Sequence, residues 1–272
     1  MHQVRFGRGG CPARARLVDT AWVILAAMRT QARSMRGSPA AVILGVVQPV
    51  VFLVVALKAG QHLSARASTH LVVGVGLTAL WGSTIWSAGG ILTVDRDNGT
   101  LAATVTGVRS PSLVFLGKCL GATARSTAVV AVSTITTVLL LGVPVLVRQP
   151  GWMLAGLVVV VLSGTTLGML LSCLFLVTRY ATAWSSLVMY PVFIIGGLII
   201  PQNLIPAQLR WLSSLISLRW AAEFLATSAF GAPSWSAFLY LAGLTSGYLV
   251  VALLTFRWLL RRARQKGNLE HG

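Results

Sequence analysis

The chain has 272 residues, of which 56% are hydrophobic and only 10% charged, with a mean hydropathy of +0.80. That excludes a soluble globular domain and points to a chain that crosses a membrane several times. Its net charge of +17 would ordinarily suggest nucleic acid, but the cations lie in the gaps between apolar runs, so lipid headgroups are the expected partner and nucleic acid is not.

An all-α polytopic protein is expected, with six spans using nearly the whole length as a single transmembrane domain, since each crossing takes roughly 20 apolar residues. Arg5, Arg8, Arg14 and Arg16 precede the short apolar run Ala21–Met28. Asp19 before that run, and Arg29, Arg33 and Arg36 after it, are the wrong flanks for a cleaved leader. Residues 17–36 read instead as an amphipathic helix, with Leu17, Ala21, Ile24, Leu25, Met28, Ala32 and Met35 on one stripe and the arginines beside it. Such a helix either lies in the membrane interface or packs on the bundle.

The first span is expected at about 40–57, with Gln48-Pro49 in its middle, and the second at 71–92. Then comes Asp95-Arg96-Asp97-Asn98-Gly99-Thr100-Leu101, which spends two of the five acidic residues of the chain on one loop. The third span, 126–147, is free of charge, and the fourth, 152–178, carries Gly164 and Gly168 in a small-xxx-small pattern. Spans at 182–200, with Pro191 inside it, and 235–256 complete the set. Between these two, Pro201, Pro206, Trp211, Trp220, Glu223 and Trp235 mark a segment too polar and proline-broken to cross yet too apolar to hang free. It reads as one or two short re-entrant helices at the outer surface, tryptophans at headgroup depth.

Lys58, Arg66, Arg148, Arg210 and Arg219 fall on one side of this arrangement, and every other lysine and arginine on the opposite side. By the positive-inside rule both termini and the acidic loop are cytoplasmic in a bacterial plasma (inner) membrane. No span holds an ionisable residue near its middle, which argues against intrinsic ion coupling, with backbone and hydroxyl ligands for sodium left open. The histidines (2, 62, 70, 271) are scattered, so no metal site is expected. Cys11, Cys119 and Cys173 read as free thiols. Gly117-Lys118 is followed by Cys119 where a phosphate loop needs Ser or Thr, so no ATP site and no catalytic constellation are expected in this chain. Thr78, Trp81, Ser83, Thr84, Trp86 and Ser87 in the second span are read two ways: ordinary helix packing with hydroxyls bonded back to their own helix, or the lining of a path for an amphiphile.

The order and spacing of these features resemble the permease family of ABC-2 type exporters, which includes daunorubicin-type drug and polysaccharide export permeases. The resemblance rests on Asp95–Leu101, on Pro111 through Gly117-Lys118, on Gly197-Leu198-Ile199-Ile200-Pro201 with Leu204-Ile205-Pro206, and on Gly231. Ser217-Leu218 stands where the family often has Asn-Pro. The resemblance implies that the Asp95–Leu101 loop starts a short cytoplasmic helix, capped by Asp95, Asp97 or Asn98, that docks on a separate ABC ATPase. ATP and Mg would be bound by that partner, not by this chain. It also implies a second permease copy, in a homodimer or with a paralogue, and export of a lipophilic drug, antibiotic or lipid-linked substrate. An ATP-independent transporter or channel-like bundle is the alternative.

Overall fold

The computed structural model describes residues 13–34, 43–59, 64–101, 110–178, 181–198, 208 and 210–266, and the regular structure there is helical throughout. The helices are α1 (Ala13–Ser34), α2 (Gln48–Ala59), α3 (Ala65–Ser87), α4 (Ile91–Asp97), α5 (Pro111–Leu141), α6 (Pro150–Val177), α7 (Ala181–Ile195), α8 (Arg210–Ser214), α9 (Ser217–Ala229) and α10 (Trp235–Lys266). Among the described residues four stretches, Ala65–Asp97, Pro111–Leu141, Pro150–Val177 and Trp235–Arg262, are long and apolar enough to cross a membrane, and Gly45–Lys58 and Trp184–Ile195 are shorter apolar helices.

Proline and glycine set several of the boundaries. Pro111 and Pro150 open α5 and α6 at positions where a missing N–H costs nothing. Gly142, at φ 62°, closes α5 in the left-handed region. The run expected to span from 126 to 147 is therefore part of a helix that begins earlier and stops sooner. The two charges that seemed to delimit it are satisfied inside the protein: Lys118 by Asp95, and Arg125 by the Ala32 carbonyl at 2.8 Å. The run expected at 182–200 is helical only to Ile195, where Gly196 and Gly197 turn the chain.

Pro49 shapes the entry to α2. Its ring cannot donate to the carbonyl of Gly45, so the backbone opens into a wide π turn over Ile43–Val47. Ser133 Oγ, on α5, donates to that orphaned carbonyl at 2.8 Å. The repair is local and crosses between helices.

At the centre, α3 and α6 run side by side in one direction. Gly164 faces Thr84, Gly168 faces Ala88, and Ser172 Oγ accepts from the Leu92 amide at 3.0 Å, all at an offset of 80 residues. Small residues every fourth position remove the side chains that would hold the backbones apart. A Cβ on Gly164 would stand 2.9 Å from Thr123 Cγ2 of α5, so three helices meet there.

α5 is polar inward and apolar outward: Thr123, Ser126, Thr127, Ser133, Thr134 and Thr137 are buried, while Val132, Ile135, Leu139 and Leu140 are exposed. This inversion suits a helix whose outer solvent is hydrocarbon. α9 inserts Leu218, Ala221, Phe224 and Leu225 into the core shared with α3, α6 and α10, and Phe224 lies over Gly156. Trp211 and Trp235 are exposed, whereas Trp220 stacks on Tyr240 at 4.4 Å.

α1 lies along the first half of α5, in the same direction. Gly117 meets Ile24, Gly121 meets Met28, and Arg125 bonds Ala32, all at an offset of 93 residues. Of the two arrangements open for this helix, the structure has it packed on the bundle, with Trp22, Arg29 and Arg33 turned outward.

We predict that Gly164→Leu lowers stability by roughly 1–3 kcal/mol through overpacking, read as thermal unfolding in detergent. Gly243→Leu on α10, whose Cβ would meet nothing within 4 Å, serves as the neutral comparison. Equal melting temperatures for the two variants would show that α3, α5 and α6 do not depend on the small-residue ridge.

Candidate functional site

The residues Asp95–Leu101 lie at the end of the bundle where α3 and α4 finish and α5 begins. Ala88–Gly90 interrupt the helix and α4 resumes at Ile91. Such a break orphans an amide, and Ser172 Oγ takes the Leu92 N–H. α4 is thereby fixed to α6.

Asp95, one turn on, is buried at 9% exposure. Lys118 Nζ on α5 donates to its Oδ2 at 2.6 Å, and both side chains are largely withdrawn from water, at 12% and 17% exposure. The Thr100 hydroxyl bonds the Asp95 backbone carbonyl at 3.2 Å and its Oδ1 at 3.4 Å. A carboxylate in this setting holds α4, α5 and the following turn together. Its partner is a lysine that would otherwise be an unpaired charge among Ile91, Leu92, Phe115 and Cys119.

The rest of the turn faces the other way. Asn98 ends α4 with its amide bonded to the Val94 carbonyl at 3.0 Å, and Gly99 takes φ 66°. Any side chain there would be strained. Thr100 and Leu101 are helical again, and Leu101 is buried with Ile91, Phe115 and Met169. Asp97 is 62% exposed and touches Arg96 Nε at 3.4 Å, an ion pair worth little in water. Asn98 and Gly99 are also exposed. The seven residues grouped by sequence thus divide into an inward pair, Asp95 and Leu101, an outward face of Arg96, Asp97, Asn98 and Gly99, and Thr100, whose hydroxyl links the turn back to Asp95.

Sequence reasoning gave Lys118 no partner beyond the membrane surface. One signal was present: a lysine beside an apolar run needs a counter-charge, and Asp95 and Asp97 are the acids nearest to it in sequence.

The polar residues of the second apolar run are also divided. Thr78 Oγ1 donates to the Gly74 carbonyl at 2.8 Å and Ser83 Oγ to that of Leu80 at 3.0 Å. Ser87 Oγ meets Ser126 Oγ of α5 at 3.1 Å. Trp81 Nε1 and Thr84 Oγ1 are buried without a partner, and Trp86 turns outward at 40% exposure. Pro201 and Pro206 lie outside the described residues. Glu223 is half-buried on α9, and among the described residues no cation pairs with it.

Residues 23–230 match the sequence profile of the ABC-2 type transporter family. The chain belongs to that family. No curated protein matches the chain significantly. Membership makes it the membrane component of an ABC-type transporter, the kind of subunit that normally pairs with an ABC ATPase.

We predict that Asp95→Ala lowers stability by roughly 2–3 kcal/mol, because it strands the Lys118 charge, while the partial exposure of both groups keeps the loss modest. The double change Asp95→Leu/Lys118→Met should recover most of that loss, since neither charge is left unpaired. Asp97→Ala should leave the melting temperature unchanged. If thermal unfolding ranks Asp97→Ala with Asp95→Ala, the division of the turn into an inward and an outward half is wrong.

Proposed function

We propose that the chain is the permease subunit of an ATP-driven exporter that moves a lipophilic drug, antibiotic or lipid-linked compound out of the cytoplasm. It spans a bacterial inner membrane six times, both termini inside, and works beside a second permease copy. ATP and Mg are bound by a separate ATPase. The short apolar helices Gly45–Lys58 and Trp184–Ile195 belong to two of the six crossings in this reading. The excess of lysine and arginine at the end bearing Asp95 supports that orientation.

The observation that carries this reading is the outward face Arg96–Gly99 mounted on a rigid base. Movement of an ATPase against that face has a direct mechanical route into the bundle, because Lys118 ties the turn to α5 and Ser172 ties α4 to α6. A turn without such anchors would absorb the displacement locally. The uncharged hydroxyl-bearing interior of α3 and α5 supports an amphiphilic cargo, and Trp81 Nε1 and Thr84 Oγ1 within it are buried polar atoms that no protein group satisfies.

The test is co-purification of the tagged chain with a candidate ABC ATPase. We predict retention by the wild type and loss, by about tenfold or more, in Asp97→Lys/Asn98→Ala, with thermal stability intact. A wild type that holds no ATPase would sink the ATP-driven reading and leave an ATP-independent transporter. A variant that keeps its partner would move the docking face elsewhere.

A further inference from the structure

The opposite end of the bundle carries a charge arrangement that the transport reading does not use. Leu146 N donates to Thr69 Oγ1 at 3.0 Å, Arg148 N to the Ala229 carbonyl at 3.0 Å, and Gln149 Nε2 to the Gly231 carbonyl at 3.1 Å. These bonds draw the start of α3, the start of α6 and the end of α9 into one patch around Phe230. Arg66 stands over the Phe230 ring with its Cζ 4.8 Å from the centroid, and the His70 ring lies 5.0 Å from it. Arg148 packs beside Gly231, where a Cβ would meet Arg148 Cδ at 3.3 Å. Three basic side chains therefore surround one turn, and all three are exposed.

Their placement is electrostatically unfavourable without a counter-ion. Arg66 is in the first turn of α3 and Arg148 lies one residue before the Gln149 N-cap of α6, so both cations sit near the positive ends of helix dipoles. Neither first turn contains an acidic residue. Among the described residues no carboxylate lies within ion-pairing distance of any of the three. This end also holds few cations in all, yet two of them are concentrated here against the bias that keeps cations off the exported side.

We infer that Arg66, His70 and Arg148 form a binding site for a phosphate-bearing anion at the end of the bundle remote from Asp95. The two arginines supply charge and fork-shaped donors, and the helix N-termini add to the field. Phe230 holds Arg66 in place by cation–π contact. The phosphate comes either from an anionic phospholipid headgroup or from a free phosphate ester. The inference goes beyond the exporter reading and needs only that the chain sits in a membrane.

Native mass spectrometry of the intact chain released from neutral detergent tests it, with phosphatidylglycerol and phosphatidylcholine offered in equal amounts. Wild type is expected to retain phosphatidylglycerol over phosphatidylcholine. Each arginine removed in Arg66→Gln/Arg148→Gln should cost roughly fivefold of that preference. Arg66→Lys/Arg148→Lys, which keeps the charge, should retain most of it and controls for folding. Inorganic phosphate added at millimolar concentration should leave the lipid adduct in place if the headgroup is the source, and displace it if the site takes free phosphate. Equal retention of the two lipids by the wild type, with no phosphate adduct, would overturn the site. So would an undiminished preference in the double glutamine variant. Retention of phosphatidylcholine by every variant would show that the membrane reading stands even where the anion site fails.

Discussion

A hydrocarbon solvent offers the backbone no hydrogen-bond partner, and each amide or carbonyl left open there costs several kcal/mol. Two interruptions among the described residues are closed by a hydroxyl from a neighbouring helix. Pro49 opens the start of α2, and Ser133 of α5 bonds the carbonyl that results. The break at Ala88–Gly90 opens the start of α4, and Ser172 of α6 bonds the amide. The hydroxyls that repair the breaks also join the helices, so satisfying the backbone and assembling the bundle are one event.

The same economy explains why apolar residues are outside and hydroxyls inside. Between helices in lipid there is little to gain from burying leucine, which is as well solvated by acyl chains as by its neighbours. Close backbone approach and short hydrogen bonds are what remain. Gly164, Gly168 and Ser172 supply the first along α3, and Ser126 and Ser133 supply the second along α5. α9 is a helix that does bring large side chains inward, and Phe224 over Gly156 shows how: it fills the place of an absent side chain.

Much of this was legible in the sequence, for a physical reason that also marks its limit. Apolar run length reports on the hydrocarbon, so helical spans could be read from it; the glycines of α6 report on close approach, so their packing could be read as well. Charge inside a run was misleading. Lys118 and Arg125 look like the edge of a span, but Lys118 pairs with the Asp95 carboxylate and Arg125 donates to the Ala32 carbonyl, both distant in the chain, and α5 continues through both. Pro111 carries the signal for the true start of that helix, since proline is favoured in a first turn, but the charge-free run from 126 reads as the span in its place. Asp95 was the harder case. Two aspartates two residues apart look alike in a sequence, and only the helix that presents them decides that Asp95 turns to Lys118 and Asp97 to solvent.

That division bears on what the turn can transmit. A contact made only by exposed side chains would move those side chains and little else, because an ion pair such as Arg96–Asp97 in water is worth too little to carry a load. A partly buried pair behaves differently: separating Asp95 from Lys118 exposes a charge on each side to an apolar surrounding, so the two move together. α1 lies on α5 at the next residue, Gly117, close enough that a Cβ there would be 2.7 Å from the Ile24 carbonyl. A displacement of the turn must therefore shift α5 and α1 as one body, with α6 following through Ser172. Asp95, and not the exposed Asp97, is therefore the acid that couples the turn to the rest of the bundle.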